Sequence, residues 1–180
     1  MLKADIRGFF ASVRHSILLT LIERTLPRDE KLNALLAEVV QSFHTVSGAG
    51  IPLGNLTSQL FSNVYLHPLD HFVKRKLGIK HYLRYADDII FLSADRKVLI
   101  QTLSRVRDFL RDTLALELHP AKIELRKWEN GVDVLGFVSY PLKTVMRPKT
   151  RKRMFGRLAR AGADFDEQTE ALYSQMKFER

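Results

Sequence analysis

The chain has 180 residues, 46% of them apolar and 27% charged, with no cysteine and a formal net charge of +9. That length supports one ordinary domain with a real core and a small appendage. The composition excludes a disordered chain, a disulfide scaffold and any thiolate metal site, and no apolar run approaches a membrane span.

In chain order, Leu2 to Ile6 reads as a short strand. A core strand that begins at the first residue, with no lead-in, sets the expectation of an upstream portion outside this chain. Phe9 and Phe10 follow Gly8, and Ser12 to His15 make a turn. Ser16 is placed to cap an apolar helix over Ile17 to Leu26, which Pro27 ends. Asp29 is placed to cap a second helix, whose Leu32, Leu35, Leu36, Val39, Val40 and Phe43 recur at helical spacing. Gly48, Gly50, Pro52 and Gly54 make Val46 to Asn55 a loop.

A long helix follows from Asn55 or Thr57, with Leu60, Phe61, Val64, Leu69, Phe72 and Val73 in a broad buried stripe. Pro68 predicts a kink or break within it, and Gly78 ends it. Residues 80–93 read as a hairpin with Tyr85-Ala86-Asp87-Asp88 at its tip. Asp95 caps a helix over Val98 to Leu114. Leu116 to Leu118 is a short strand or turn, and His119-Pro120 is a break. Lys122 to Arg126 and Val132 to Tyr140 read as strands paired around Asn130-Gly131. From Lys149 the tail reads as two short helices split by Gly162. This order is α+β, with an antiparallel sheet and helices packed on one face.

Two adjacent carboxylates at a hairpin tip repel each other, and partial burial disfavours both ions. A divalent cation supplies the counter-charge. An ordinary acidic turn is the plain alternative, because Asp is a common turn residue. If the strand that ends at Asp5 neighbours the hairpin, three carboxylates meet at one sheet edge. Without cysteine, such a site suits hard, oxygen-loving ions such as Mg²⁺, and two of them clamp an in-line phosphoryl displacement. The basic excess has a matching distribution. No acidic residue falls between Val134 and Ala163, a stretch carrying Lys143, Arg147, Lys149, Arg151, Lys152, Arg153, Arg157 and Arg160. One-signed clustering favours a nucleic acid over mere solubility.

Lys3 to Phe10, Ile51 to Gln59, Tyr85 to Asp88, His119 to Lys122 and Leu135 to Tyr140 together resemble the palm of reverse transcriptases. The segments stand in that family's order with suitable spacing; the double Asp alone is common, and the whole set is specific. The resemblance implies a ferredoxin-like palm over 1–141 and the start of a basic, helical thumb over 142–180. It implies Asp5 and Asp87 as metal ligands for two Mg²⁺ ions (Mn²⁺ as substitute), with Asp88 assisting and the Ile6 carbonyl on one ion. Gly8 and Phe9 amides would face a deoxynucleoside triphosphate. Phe10 would be the steric gate under its sugar, with Leu53 and Gly54 nearby. Lys122 would approach the leaving pyrophosphate, and Leu135, Gly136 and Phe137 would form the primer grip. Lys149, Arg151, Lys152, Arg153 and Arg157 would track the duplex backbone.

The implied partners are a template RNA, a DNA or RNA primer and a deoxynucleoside triphosphate, with no membrane and a cytoplasmic location. The form Leu53-Gly54-Asn55-x-x-Ser58-Gln59 resembles diversity-generating retroelement and retron-like bacterial enzymes, for which a small basic accessory protein is expected. Many relatives carry Gln where Leu53 stands. Loss of that directional contact predicts reduced fidelity, and plain loop packing is the alternative for Leu53. The absence of a fingers segment before Asp5 sets the expectation of a fragment. The rival reading is a non-catalytic nucleic-acid-binding remnant of a palm. His67 and His71 stand four apart, but without the Glu that zinc hydrolases use.

Overall fold

The computed structural model describes residues 1–26 and 29–160. The helix end expected at Pro27 and the split expected at Gly162 lie outside those residues. Strand β1 spans Leu2–Asp5 and a short turn of helix, α1, spans Phe9–Ser12. Helices α2 (His15–Thr25), α3 (Glu30–Gln41) and α4 (Leu56–His71) follow. Strands β2 (His81–Tyr85) and β3 (Asp88–Leu92) form a hairpin, and α5 spans Arg96–Leu114. Strand β4 is only Glu124–Leu125. Strands β5 (Val132–Val134), β6 (Phe137–Ser139) and β7 (Thr144–Met146) precede α6, Pro148–Arg160.

The chain divides into two compact units, residues 1–125 and the part from Arg126 onward. In the first, the sheet order is β2-β3-β1-β4 and every pairing is antiparallel. Strands β1 and β2 are therefore parallel to each other but separated by β3. This is the split βαβ arrangement of a ferredoxin-like fold. Alternation along the strands sorts the two faces. Leu2, Ala4, Ile89 and Phe91 are buried on one face, where α4 and α5 lay Phe61, Tyr65, Leu66, Leu69, Leu99, Val106, Leu110 and Leu114 into a shared core. Tyr65 is fully buried but satisfied: its hydroxyl donates to the Leu114 carbonyl at 2.7 Å and accepts from the Arg14 amide at 3.2 Å. Lys3, Asp5, Leu83, Tyr85 and Asp88 belong to the opposite face.

Asp29 and Asp95 cap α3 and α5 through backbone amides, as their positions predict. Ser16 does not cap α2, which starts one residue earlier at His15 with no side-chain cap. Helix α4 stays helical through Pro68 and widens only afterwards, into a π-helical turn over Phe72–Lys76. The strand expected over Lys122 to Arg126 is a 3₁₀ turn over Pro120–Lys122 followed by β4, which pairs with β1 rather than with the next strand.

The second unit corrects the reading around residue 131. Val132 to Tyr140 is not one strand but the hairpin β5–β6, turned at Leu135-Gly136. Both turn residues have positive φ, +54° and +85°, as a two-residue type I′ connection requires. Glycine was the visible half of that signal; a leucine in the left-handed region is uncommon. Gly131 instead precedes β5 with φ +76°, and a Cβ there would stand 2.6 Å from the Val138 side chain. Strand β7 completes a meander.

Candidate active site

Strand β1 ends at Asp5, and its register partner on β3 is Asp88. Tyr85 is opposite Asp88 on the other side. Opposed residues share a face, so Asp5, Asp88 and Tyr85 stand together on the face away from the helices. The β2–β3 hairpin closes through two residues, Ala86 and Asp87. Ala86 has φ +49°, a region alanine visits rarely. The Asp87 carbonyl accepts from the Ile6 amide at 3.2 Å, which fastens the hairpin tip to the end of β1. The topology thus carries all three acids to one end of one sheet.

The site is electrostatically loaded. Burial pushes the Asp87 carboxyl above the usual carboxylate range; its own backbone N–H opposes this, the charges of Asp5 and Asp88 add to it, and Lys122 offsets part. Two lysines sit on the other acids: Lys122 Nζ donates to Asp5 Oδ2 at 3.0 Å, and Lys3 Nζ is 3.3 Å from Asp88 Oδ1. The hydrogen bond to Asp5, then its charge, holds the Lys122 amine above its ordinary value. Among the described residues no three His, Cys, Asp or Glu side chains close around a common point. The backbone brings the acids together, while the side chains of Asp5 and Asp88 turn to lysines. The donor set is all oxygen, and the charges of Asp5 and Asp88 add to the burial that already raises the Asp87 carboxyl. Both fit a hard divalent cation.

Lys122 reaches Asp5 by a local device. The His119 amide donates to the Asp5 carbonyl at 2.8 Å, and the His119 ring Nδ1 accepts from the Ala121 amide at 3.2 Å. Pro120 suits the start of that turn because its missing N–H is not needed there. His119 therefore has partners that its sequence neighbours do not reveal. So does His15, which is buried with its Nε2 at 2.7 Å from the Gly50 carbonyl.

Gly8 takes φ +52° ahead of α1. Phe9 is buried against Phe10 and Tyr65, at ring separations of 5.2 and 6.3 Å, and Phe10 is half-buried. Leu53 is 77% exposed, so it does not serve to pack its loop. Gly54 beside it has φ +91° with open space where a Cβ would stand. In the second unit Leu135 and Phe137 are exposed at the β5–β6 turn. Lys149, Arg151, Lys152, Arg153 and Arg157 are all exposed on α6. His67 and His71 stack edge to face at 4.3 Å with no third ligand among the described residues.

The sequence reading missed a polar network behind the hairpin. Arg84, on the helix-facing side of β2, pairs with Asp70 of α4 at 2.7 Å. Its signal was a charge at an inward-facing position of a strand.

The sequence matches the family described as "Reverse transcriptase (RNA-dependent DNA polymerase)" over residues 1–139. Protein YkfC of Escherichia coli K12 is 21% identical over 174 residues, covering 76% of this chain and 45% of that protein. A solved structure of telomerase from Candida albicans, in complex with a TWJ fragment of telomeric RNA, superposes with a TM-score of 0.57. It is 13% identical, covering 81% of this chain and 31% of that one. The chain thus spans under half the length of each of these relatives. A split βαβ sheet with helices on one face and acids at one end fits a palm, and the family match over residues 1–139 makes it a reverse transcriptase palm. This chain belongs to the reverse transcriptase family.

Proposed function

We propose that the chain is the palm and thumb start of an RNA-directed DNA polymerase. It adds deoxynucleotides to a primer 3′-hydroxyl along an RNA template. The observation that carries this reading is the pairing of Asp5 with Asp88, with the Ile6–Asp87 bond beside it, in a member of this family. Asp5, Asp87 and the Ile6 carbonyl would hold two Mg²⁺ ions, with Asp88 assisting. When bound, those ions supply Lewis-acid stabilisation of the charge that develops on the transferring phosphoryl group.

The chain's own residues do the rest. Lys122 moves from Asp5 to the pyrophosphate side and stabilises negative charge there. Gly8 and Phe9 present backbone N–H groups to the triphosphate, and Phe10 excludes a 2′-hydroxyl. Leu135 to Phe137 hold the primer end in line. The palm covers 1–141 and the thumb begins at 142. Leu53, exposed on its loop, offers only van der Waals contact near the nascent pair, which lowers fidelity. A bacterial retroelement with a small basic accessory protein is the proposed setting.

Primer extension on a poly-rA template with an oligo-dT primer tests this. The parent chain extends the primer, and Asp87→Asn lowers the rate by at least about 100-fold, as the loss of several kcal/mol of charge stabilisation implies. Duplex binding without extension would favour the reading as a non-catalytic nucleic-acid-binding remnant instead.

A further inference from the structure

The polar network behind the β2–β3 hairpin joins α4 to the acidic end of the sheet. Arg84 Nε and Nη2 donate to the two Asp70 carboxylate oxygens at 2.8 and 2.7 Å. The Tyr82 hydroxyl donates to Asp70 Oδ1 at 2.7 Å. Burial first, then the bond to Asp70, pushes the Tyr82 phenol far above its ordinary range, so it remains a donor. The third nitrogen, Arg84 Nη1, does something the ion pair does not need. It donates to the Ala86 carbonyl at 3.2 Å and to Asn63 Oδ1 at 3.4 Å.

The Ala86 carbonyl lies in the peptide plane that joins Ala86 to Asp87. A peptide is rigid, so fixing its carbonyl fixes the direction in which the next Cα leaves. Ala86 is held at φ +49°, which its own side chain disfavours. On the far side of Asp87, the next peptide plane is fixed by the Ile6 amide. Asp87 is therefore clamped at both flanking peptides, one by Arg84 and one by β1. The guanidinium spreads its donors over three nitrogens in a fixed plane and so spans both carboxylate oxygens and the carbonyl; a lysine offers its three donors from a single atom and cannot reproduce that span.

We propose that Arg84, held by its two-point ion pair with Asp70, is a positioning residue that sets the Ala86–Asp87 peptide and hence the place of the Asp87 carboxylate. The inference rests on the proposed role of Asp87.

Site-resolved amide exchange and Mn²⁺ binding by electron paramagnetic resonance test it on the full chain. In Arg84→Lys, the Ala86, Asp87 and Ile6 amides exchange at least about tenfold faster, as a local opening does, while Leu66 and Phe91 keep their protection. Mn²⁺ affinity falls by about 10–100-fold, as it does when a group that orients a metal ligand is lost. Tyr82→Phe leaves the loop amides unchanged. If Arg84→Lys does not fold, the apolar pair Arg84→Met with Asp70→Met replaces it without leaving a buried charge, and the same local loosening is expected. Unchanged loop exchange overturns the proposal. So does equal acceleration of loop and core, which would make the pair a structural bolt, and so does a loosened loop with unchanged Mn²⁺ affinity. Equal Mn²⁺ binding by parent and Asp87→Asn would sink the polymerase reading of the acids, and the exchange data would still decide whether Arg84 holds the loop.

Discussion

At the scale of single residues, the chain keeps awkward groups where a plain fold would not. Asp87 is a half-buried carboxyl crowded by two others, and its raised pKa has a consequence for stability. The folded state binds its proton more tightly than the unfolded state. Stability contributed by this group therefore falls as pH rises through the window between the ordinary carboxylate value and the raised one. In metal-free buffer at pH 7, Asp87→Asn should melt above the parent. The gap should close as pH falls toward the ordinary carboxylate range. Thermal melts across that range check it, and a variant that melts lower throughout would contradict the assigned cause. Leu135 is a second such residue, an exposed aliphatic side chain in a left-handed turn. Strain of this kind persists only where the surroundings over-determine it, and it gathers at functional sites.

At the scale of elements, α6 divides its own faces. Met154, Phe155 and Leu158 are half-buried, whereas Lys149, Arg153 and Arg157, spaced four apart, line one exposed side. Thr150 lies against Gly136, where a Cβ would stand 3.2 Å from its hydroxyl, and the Arg147 amide donates to the Gly136 carbonyl at 2.8 Å. Arg147 Nε also donates to Asp133 Oδ1 at 2.9 Å. The helix is thus pinned to the β5–β6 turn with these cations exposed, and the proposed partner for them is a backbone of phosphates. Each lost phosphate contact should lower the slope of log affinity against log salt by about 0.9 on a duplex. Lys149→Ala with Arg153→Ala should reduce that slope by about 2, measured by fluorescence anisotropy over a salt series. An unchanged slope would remove α6 from the interface.

At the scale of the whole molecule, binding and folding are linked through the sheet. Strand β1 lies between β3 and β4, so its end cannot move without disturbing the core of the first unit. An ion that binds only the folded acids stabilises the fold by mass action, by about 2.7 kcal/mol at a hundredfold excess over its dissociation constant. Mg²⁺ should therefore raise the melting temperature of the parent chain but not that of Asp5→Asn. Equal shifts in both would mean that the ion binds elsewhere. No helix among the described residues is long and apolar enough to cross a membrane.

What the sequence determined by itself was local and periodic. The α+β class, the caps at Asp29 and Asp95, the α4 stripe apart from Leu60, which is exposed, the end of α5 at Leu114 and the β2–β3 hairpin all follow from spacing and turn chemistry. The ordered motifs were enough to name the family. What only the tertiary structure decided was everything that depends on partners distant in the chain. The pairing of β1 with β3 carries Asp5 to Asp88 across 83 positions, and local propensity contains no term for it. The lysines on the acids, the ring partner of His15, the bond from the His119 amide to Asp5 and the reach of Arg84 to Asp70 are of the same kind. The Leu135-Gly136 turn escaped for a different reason. Its left-handed leucine goes against local preference, and the cross-strand register, not the residue's own conformational energy, holds it there.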